Sequence, residues 1–336
     1  MKILGVETSC DETAVAVVEN GRKVLSNIVV SQISEHNKYG GVVPEIASRR
    51  HTEWIGIAAK NALSEAGIKL EDIDAVAVTY APGLIGALLI GVGFAKGLCY
   101  SLKKSLVPVH HLEGHIASLY ISYPDLTPPF TVLVASGGHS HLIEVKDYTK
   151  FKTIGRAVDD AAGEAFDKVA RKLGLGYPGG PAIARMASYG NPKGYELPNP
   201  KTKEPLDVSF SGLKTAVINI VNSAQMKGQQ INVEDLAASF QDRVCDMLSS
   251  RLVESVKKSG LPIAVCGGVA ANKVLKTKTE MIAAKEGIEV YFADRELCGD
   301  NAAMIASAGY YNYLNGVRGG LDLNAYATRE IEEDSF

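Results

Sequence analysis

The sequence predicts an α/β protein in which one topology occurs twice, once in each of two lobes. Its 336 residues exceed what a single hydrophobic core normally organises. A three-strand meander with a polar bend occurs near the N-terminus and again after Pro129. Each meander leads into helical segments that alternate with short apolar strands, a pattern typical of α/β layers. Two such lobes would face each other across a central cleft, with both bends opening into it.

The first lobe is predicted over residues 1–128. Its meander is divided by the polar bend Ser9–Thr13, and short buried strands follow between helical segments. The segment Tyr123–Pro129 contains three prolines and ends the regular structure of this lobe. The predicted strands are Lys2–Thr8, Ala14–Glu19, Lys23–Ser31, Ala75–Thr79 and Leu106–His110.

The second lobe is predicted over residues 129–300. A helix is expected from about Asp160, and an irregular loop at about 190–207, where four prolines interrupt regular structure. A final helix at about 301–325 is expected to pack back on the first lobe, and residues 326–336 are expected to form a loose tail. The predicted strands are Phe130–Ala135, His141–Lys146, Phe151–Val158, Ile263–Cys266 and Glu289–Phe292.

Composition and charge restrict the function classes. With 46% hydrophobic and 22% charged residues the chain matches ordinary globular proteins, and its net charge of −3 gives no basic signature. Any RNA partner would therefore meet a local patch or a surface shared with another protein. The five cysteines form no Cys-x-x-Cys pair, which argues against a disulfide framework and a thiolate zinc site. Glu7 precludes an early signal-peptide core, so we expect a cytoplasmic protein without a membrane segment.

Glycines follow two buried strands and could hold an anion. In Ser136–His139 and in Cys266–Gly268, the missing side chains would let main-chain N–H groups approach a phosphate. The second bend leads through Asn272 into a helix, whose first amides also favour phosphate. Gly176–Pro181 supplies a third such turn, which could approach a ribose or a base. Hairpin turns and helix C-caps use the same residues, so that alternative stays open, and neither a P-loop nor a Rossmann motif is present.

Histidine spacing is compatible with a metal site, although such a pair alone is more often structural. His111 and His115 are four residues apart and would share one face of a helix. With Asp300 they would form the set of two imidazoles and one carboxylate that binds iron(II) or zinc and leaves positions open for substrate oxygens. The alternatives are hydrogen-bonded structural histidines and a helix N-cap at Asp300. Leu112 stands where zinc peptidases carry their catalytic glutamate, and the nearest carboxylate is Glu113.

Acidic residues mark both lobes. Asp11 and Glu12 lie in the first bend, where carboxylates could hold a metal or bind ribose hydroxyls. Those at the start of the second-lobe helix could act likewise, or could simply favour the helix dipole and form a solvated face. They are Asp159, Asp160, Glu164 and Asp167.

Ten short motifs follow one another along the chain. They are Val6–Thr13, Gly40–Glu45, Ala81–Leu84, His111–His115, Ser136–His139, Gly163–Lys168, Tyr177–Pro181, Phe210–Thr215, Gly267–Asn272 and Cys298–Asn301. In this order, from about Lys2 to Ala325, they resemble the bacterial tRNA adenosine threonylcarbamoyltransferase family, once described as glycoproteases. The resemblance implies the fold shared by actin, the chaperone ATPase and sugar kinases, with two duplicated lobes around a nucleotide cleft.

The resemblance also implies an activity, cofactors and partners. The activity is transfer of a threonylcarbamoyl group from threonylcarbamoyl-AMP to the exocyclic amine of adenosine 37 in tRNAs that read A-starting codons. The cofactors are one divalent metal, iron(II) in preference to zinc, and an adenine nucleotide. The partners are tRNA, a shorter paralogue of the same fold that forms a heterodimer with the chain, and a small ATPase.

Carried onto this sequence, the resemblance implies that His111, His115 and Asp300 hold the metal. The chain departs from its relatives at Ser140, which is often threonine, and at Ala184, where some have an aspartate near the ribose, so one ribose contact is in doubt. The residues implied to contact the adenylate are Val134, Ala135, Ser136, Gly137, Gly138, Asp167, Gly180 and Asn272.

The implied reaction needs little activation of its substrate, because threonylcarbamoyl-AMP is a mixed anhydride that already contains a good leaving group. The enzyme would mainly position the amine and stabilise developing negative charge. The metal would act as a Lewis acid, and Asp11 or Glu12 would accept the amine proton. Two alternatives stay open: an ATPase or small-molecule kinase of the same fold, which has no need of the histidine pair, and a metallopeptidase, which needs a water-activating glutamate beside the metal.

Overall fold

The computed structural model describes residues 1–333 as a succession of strands and helices. The strands are β1 (Lys2–Glu7), β2 (Glu12–Glu19), β3 (Lys23–Ser31), β4 (Ala75–Ala81), β5 (Ser105–His110), β6 (Phe130–Ala135), β7 (Ser140–Asp147), β8 (Lys150–Arg156), β9 (Ile263–Cys266) and β10 (Val290–Phe292). The α-helices are α1 (Ile33–His36), α2 (Pro44–Ala66), α3 (Ile85–Leu102), α4 (His111–Ser122), α5 (Ala162–Lys172), α6 (Gly179–Ala187), α7 (Ser211–Met226), α8 (Val233–Val256), α9 (Lys273–Glu286) and α10 (Ala302–Leu314).

The chain divides into two compact units. Unit 1 comprises Met1–Pro128, Val145–Lys152 and the chain from Ala293 onwards, and unit 2 comprises Pro129–Glu144 and Thr153–Phe292. Residues 145–152 and 293–300 therefore belong to unit 1, whereas the sequence assigned them to the second lobe.

Side-chain packing explains both differences. The ring of Tyr148, between β7 and β8, stacks on Tyr311 of α10 with centroids 4.2 Å apart. Asp294 N donates a hydrogen bond of 2.9 Å to Ser122 Oγ at the end of α4. Neither contact has a local sequence signal, because each joins residues more than 160 positions apart.

The sheet of unit 1 has the strand order β3-β2-β1-β4-β5. The strands β1, β2 and β3 pair antiparallel, and β4 and β5 extend the sheet in parallel from β1. Along β1, Leu4 and Val6 join the hydrophobic core beneath α2 and α3. Gly5 points the other way, and a side chain there would overlap the backbone of Ala302 in α10. The same alternation directs Glu7 towards the face that α10 covers.

The sheet of unit 2 has the order β10-β9-β6-β7-β8, in which β9 pairs in parallel with both β6 and β10. Read from the opposite edge, this order is β8-β7-β6-β9-β10. If the strands are counted in chain order within each unit, both sheets then have the order third, second, first, fourth, fifth. The predicted duplication of one α/β topology is therefore confirmed. Because β6 and β9 are parallel neighbours, the bends that follow them lie at the same edge of the sheet.

The end of the chain is held more firmly than the loose tail that the sequence predicts. Tyr326 N donates to Tyr80 O at 2.9 Å, Gly83 N donates to Ala327 O at 3.2 Å, and Ile331 is buried. Main-chain groups at the end of β4 thus find partners in this segment, which a polar composition does not reveal. Residues 334–336 of the predicted tail lie outside the described residues.

Helix α3 is long and apolar enough to cross a membrane, with 18 residues at a mean hydropathy of 1.6. Core helices of soluble proteins have the same length and composition. Here Leu88, Val92 and Ala95 belong to the hydrophobic core that α3 shares with α2 and β4. Packing within unit 1 thus accounts for the buried face of α3, while Ile85 and Leu89 on its other side are exposed.

Candidate functional site

Three of the predicted site residues meet in unit 1 at the start of α4. His111 begins this helix directly after β5, and His115 follows one turn later, with ring centroids 4.7 Å apart. Asp300 Oδ1 lies 3.5 Å from His111 Nε2 and 3.3 Å from His115 Nε2. One nitrogen or oxygen of each residue lies within 4.8 Å of the others, so a single ion could contact all three.

The position of Asp300 depends on its neighbour Asn301. The sequence left open that Asp300 caps α10, but the N-cap is Asn301, whose Oδ1 accepts a hydrogen bond of 3.0 Å from Met304 N. The carboxylate of Asp300 is turned to the histidines instead. Helices α4 and α10 pack closely because Gly114 has no side chain, which would otherwise overlap Ile305.

Glu7 orients His111, and the sequence analysis assigned it no role. Its buried Oε2 accepts a hydrogen bond of 3.1 Å from His111 Nδ1, which directs Nε2 towards Asp300. Thr79 Oγ1 and Ser9 N also donate to this carboxylate, at 2.7 and 2.5 Å. A carboxylate in the last position of an otherwise apolar buried strand is the signal that could have identified it.

The electrostatics of this pair follow from burial and proximity. Burial opposes the charged form of His111, but the carboxylates of Asp300 and Glu7 outweigh it and raise the pKa of His111 to about 9. Burial likewise acts to raise the pKa of Glu7, and the His111 imidazolium overcomes it, so that the pKa lies below its usual value. A metal ion would replace the His111 proton, because only an unprotonated Nε2 coordinates.

His115 is the strongest sign that the group fits a metal. Its side chain is fully buried, and neither ring nitrogen makes a hydrogen bond to another of the described residues. Nε2 lies 3.3 Å from Asp300 Oδ1 but does not form a hydrogen bond with it. A buried imidazole without hydrogen bonds is costly, and an ion bound by Nε2 and Oδ1 would remove part of that cost. The donor set of two imidazoles and one carboxylate suits iron(II) or zinc.

Glu113 does not face the three candidate ligands. Its Oε2 accepts a hydrogen bond of 2.9 Å from Asn312 Nδ2 on α10. A peptidase of the zinc type needs a glutamate that activates water on the metal, and the contact with Asn312 engages this carboxylate elsewhere.

Asp11 and Glu12 lie where β1 turns into β2, in the same unit as the candidate metal ligands His111, His115 and Asp300 (the metal group). Asp11 is buried, and its Oδ2 has no hydrogen-bond partner among residues 1–333. Burial, together with the nearby carboxylates of Asp11 and Asp300, raises the pKa of Glu12 well above its usual value. Ser31 Oγ donates to Glu12 Oε1 at 3.1 Å. The neighbouring negative charges and burial thus favour the protonated form of Glu12 over that of an exposed glutamate.

In unit 2, the two predicted glycine bends lie side by side. Val134 pairs with Cys266, so Ser136–Gly138 and Gly267–Gly268 follow neighbouring strand ends. The Gly267 backbone, with φ of +88°, passes so close to Ala135 O that a side chain would overlap it. Side chains at Gly137 and Gly268 would meet nothing within 4 Å. Both glycines therefore leave open space beside main-chain amides, as an anion site requires.

The other predicted nucleotide contacts have structural partners of their own. Asp167 Oδ1 accepts a hydrogen bond of 2.6 Å from Gly179 N, which brings α5 to the start of α6 and to Gly180. Asn272 caps α9, where Oδ1 accepts from Val274 N at 2.9 Å, and its Nδ2 donates to Gln241 Oε1 at 2.9 Å. Both polar atoms of the Asn272 side chain thus hold protein groups in place, and its contact with a nucleotide stays a prediction.

Asp159 and Asp160, considered in the sequence as possible ligands, bind protein groups. Asp159 Oδ1 accepts from Phe210 N at 2.8 Å, beside the first turn of α7. Asp160 forms ion pairs with Lys168, at 2.7 Å, and with Lys214. These contacts tie the segment before α7 to the start of α5.

The chain matches a known protein family. A family model described as tRNA N6-adenosine threonylcarbamoyltransferase matches residues 23–307, a span that contains the metal group and both glycine bends. The chain belongs to this family of tRNA N6-adenosine threonylcarbamoyltransferases. A curated relative with that name, from Clostridium novyi (strain NT), is 52% identical over 336 residues, which cover 99% of this chain and 98% of the relative. Among the classes left open by the sequence, family membership supports the transferase.

Solved structures similar to this threonylcarbamoyltransferase family member are distant in sequence. HypF from T. kodakarensis gives a TM-score of 0.63 at 14% identity, over 94% of this chain and 48% of that chain. Component A of (R)-2-hydroxyglutaryl-CoA dehydratase from Acidaminococcus fermentans gives 0.54 at 16% identity, over 94% and 99%. At such identities the likeness concerns the fold alone, and it supports the predicted actin- and sugar-kinase-like class.

Proposed function

We propose that this chain transfers the threonylcarbamoyl group of threonylcarbamoyl-AMP to the exocyclic amine of adenosine 37 in tRNAs that read A-starting codons. The observation that carries the proposal is the group of two buried histidines, His111 and His115, and the partly buried Asp300, inside the span that matches the transferase family. A kinase of the same fold has no need of this group, and Glu113 is turned away from it.

The residues of unit 1 would serve the acceptor amine and the metal. A metal held by His111, His115 and Asp300 would supply Lewis-acid stabilisation of developing negative charge. Glu7 would keep His111 in the tautomer that coordinates. We assign the amine proton to Asp11 or Glu12, since both are acidic groups of low exposure in one bend. The raised pKa of Glu12 makes its carboxylate a stronger base than an ordinary glutamate.

The residues of unit 2 would bind the adenylate. Main-chain amides of Ser136–Gly138 and of Gly267–Gly268 would hold its phosphate as the leaving group departs. Asp167, Gly180 and Asn272 would contact the nucleoside, with Val134 and Ala135 forming the strand that leads to the first bend. Support comes from the open space beside Gly137 and Gly268.

The metal is proposed to be iron(II) in preference to zinc. Two imidazoles and one carboxylate on one side of an ion form the facial set of iron(II) sites and leave positions for substrate oxygens. Catalytic zinc uses similar donors, so the donor set supports both ions, and loading of the apoprotein with each ion in turn distinguishes them.

The protein is proposed to act in the cytoplasm with partners: tRNA, a shorter paralogue that forms a heterodimer with it, and a small ATPase. Exposed apolar side chains on α2 and α3 support a protein partner, because residues three or four apart share a helix face. They are Trp54 and Ile57 on α2 and Ile85 and Leu89 on α3.

Nucleoside mass spectrometry of tRNA tests the proposed function. The chain is combined with its partner proteins, unmodified tRNA and threonylcarbamoyl-AMP. We expect threonylcarbamoyladenosine at position 37 only when the chain is present. Formation of the modified nucleoside at an equal rate without the chain would contradict the proposal.

A further inference from the structure

The bend Ser9–Thr13 is fixed by hydrogen bonds to three consecutive main-chain carbonyls. Two of the three donors are main-chain amides, which every residue type except proline supplies. The third donor is the side chain of His51, so this is the one of the three that a substitution removes. The pairs are Leu84 N with Ser9 O at 2.8 Å, His51 Nε2 with Cys10 O at 2.9 Å, and Gln32 N with Asp11 O at 3.0 Å.

His51 is an unusual residue for its place on α2. The buried face of this helix otherwise consists of apolar residues, and packing against the sheet needs no imidazole there. Both ring nitrogens of His51 are nevertheless used in the bend, since Nδ1 lies 2.8 Å from Thr13 Oγ1. The other buried residues of α2 are Ala47, Ile55, Ala58, Ala59 and Ala62.

The partners of His51 define its tautomer. The Cys10 carbonyl can only accept, so Nε2 carries the proton and Nδ1 accepts from the Thr13 hydroxyl. Burial lowers the pKa of His51, which favours this neutral form. The ring therefore connects α2 to both ends of the peptide segment that carries Asp11 and Glu12.

We propose that His51 is a positioning residue for Asp11 and Glu12, acting through the Cys10 carbonyl. The inference rests on the proposed function, in which one of these carboxylates accepts the amine proton. Loss of the hydrogen bond lets the Cys10–Asp11 peptide group rotate and displaces the carboxylates. A displacement of about 1 Å can lower a rate by about 100-fold. Substitution of His51 should leave His111, His115 and Asp300 in place, because Glu7 orients His111 and Asn301 caps the helix after Asp300.

The test compares steady-state rates and metal content of three variants in the reconstituted transfer reaction. His51→Leu removes both hydrogen bonds and should lower kcat by about 10- to 100-fold, with unchanged metal per chain and unchanged KM for tRNA. His51→Gln offers one donor and one acceptor and should recover part of the rate. Thr52→Val, the neighbouring exposed position on the same helix, is the control and should retain the wild-type rate.

Three results would overturn the inference: a wild-type kcat in His51→Leu, a loss of metal in proportion to activity, or no recovery in His51→Gln. If His51→Leu does not fold, Thr13→Val replaces it, because the Thr13 hydroxyl on Nδ1 holds the ring in the tautomer and orientation in which Nε2 donates to Cys10 O. Thr13→Val should lower kcat with unchanged metal, and a wild-type kcat in it would count equally against the inference. An inactive wild-type chain would instead refute the proposed function, so the two failures are distinguishable.

Discussion

Each candidate metal ligand occupies a position that a different neighbour determines. Glu7 on β1 orients His111, and Asn301 caps α10 and leaves the Asp300 carboxylate to the histidines. His115 is fully buried on α4, which packs against α10. Sequence patterns could suggest these three residues as candidates, because an i,i+4 pair and the start of a helix are local patterns. It could not predict that Glu7 contacts His111, because that contact joins residues 104 positions apart.

The ligand assignment predicts that His111→Ala, His115→Ala and Asp300→Ala each lose bound metal and at least about 100-fold of transfer activity. Glu113→Gln is the matched control, since it lies between the two histidines but contacts Asn312, and it should keep both metal and activity. Elemental analysis of folded protein measures the metal. Wild-type metal content in all three alanine variants would end the assignment.

At the scale of elements, strands and bends could be predicted because their signals are local. The strands β3, β6 and β9 have the predicted bounds, and the parallel pairing of β6 with β9 explains why two separate glycine motifs lie together. The placement of residues 145–152 and 326–333 could not be predicted, since it depends on distant partners such as Tyr311 and Tyr80.

Substitutions in the glycine bends are predicted to weaken nucleotide binding without destabilising the fold. Gly137→Val and Gly268→Val place a side chain in open space, so the fold should persist while affinity for adenine nucleotides falls by at least about 10-fold. Gly163→Ala instead forces a side chain against Ser136 O and should lower the melting temperature. Calorimetry measures both quantities. Wild-type nucleotide affinity in both valine variants would refute the phosphate role of the bends.

At the scale of the whole molecule, the net charge of −3 bears on tRNA recognition. Phosphate contacts dominate the affinity for nucleic acids, and this chain lacks an overall basic excess to make them. Its local basic clusters are also typical of solvated helix faces, so charge alone does not identify an RNA site. They are Arg49–His51, Lys103–Lys104 and Lys273–Lys278. His51 is buried and bonded within its unit, so it contributes no charge to the first cluster.

We therefore predict that the isolated chain binds tRNA weakly and that productive binding needs a surface built with the partner proteins. Affinity of the assembled complex should fall steeply with salt, because bound counterions are released on association. Fluorescence anisotropy across a salt series measures this for the chain alone and for the complex. Equal affinity and equal salt slope in both would contradict the composite surface.

The central claim is that the His111, His115 and Asp300 group holds the metal on which threonylcarbamoyl transfer depends. Its most direct test is a metal titration of chelated protein in the reconstituted reaction, performed anaerobically with iron(II) and separately with zinc. We predict that the stripped chain is inactive and that iron(II) restores transfer linearly, with saturation at about one equivalent per chain. Full transfer activity in the stripped chain, measured as threonylcarbamoyladenosine per tRNA, would contradict the account.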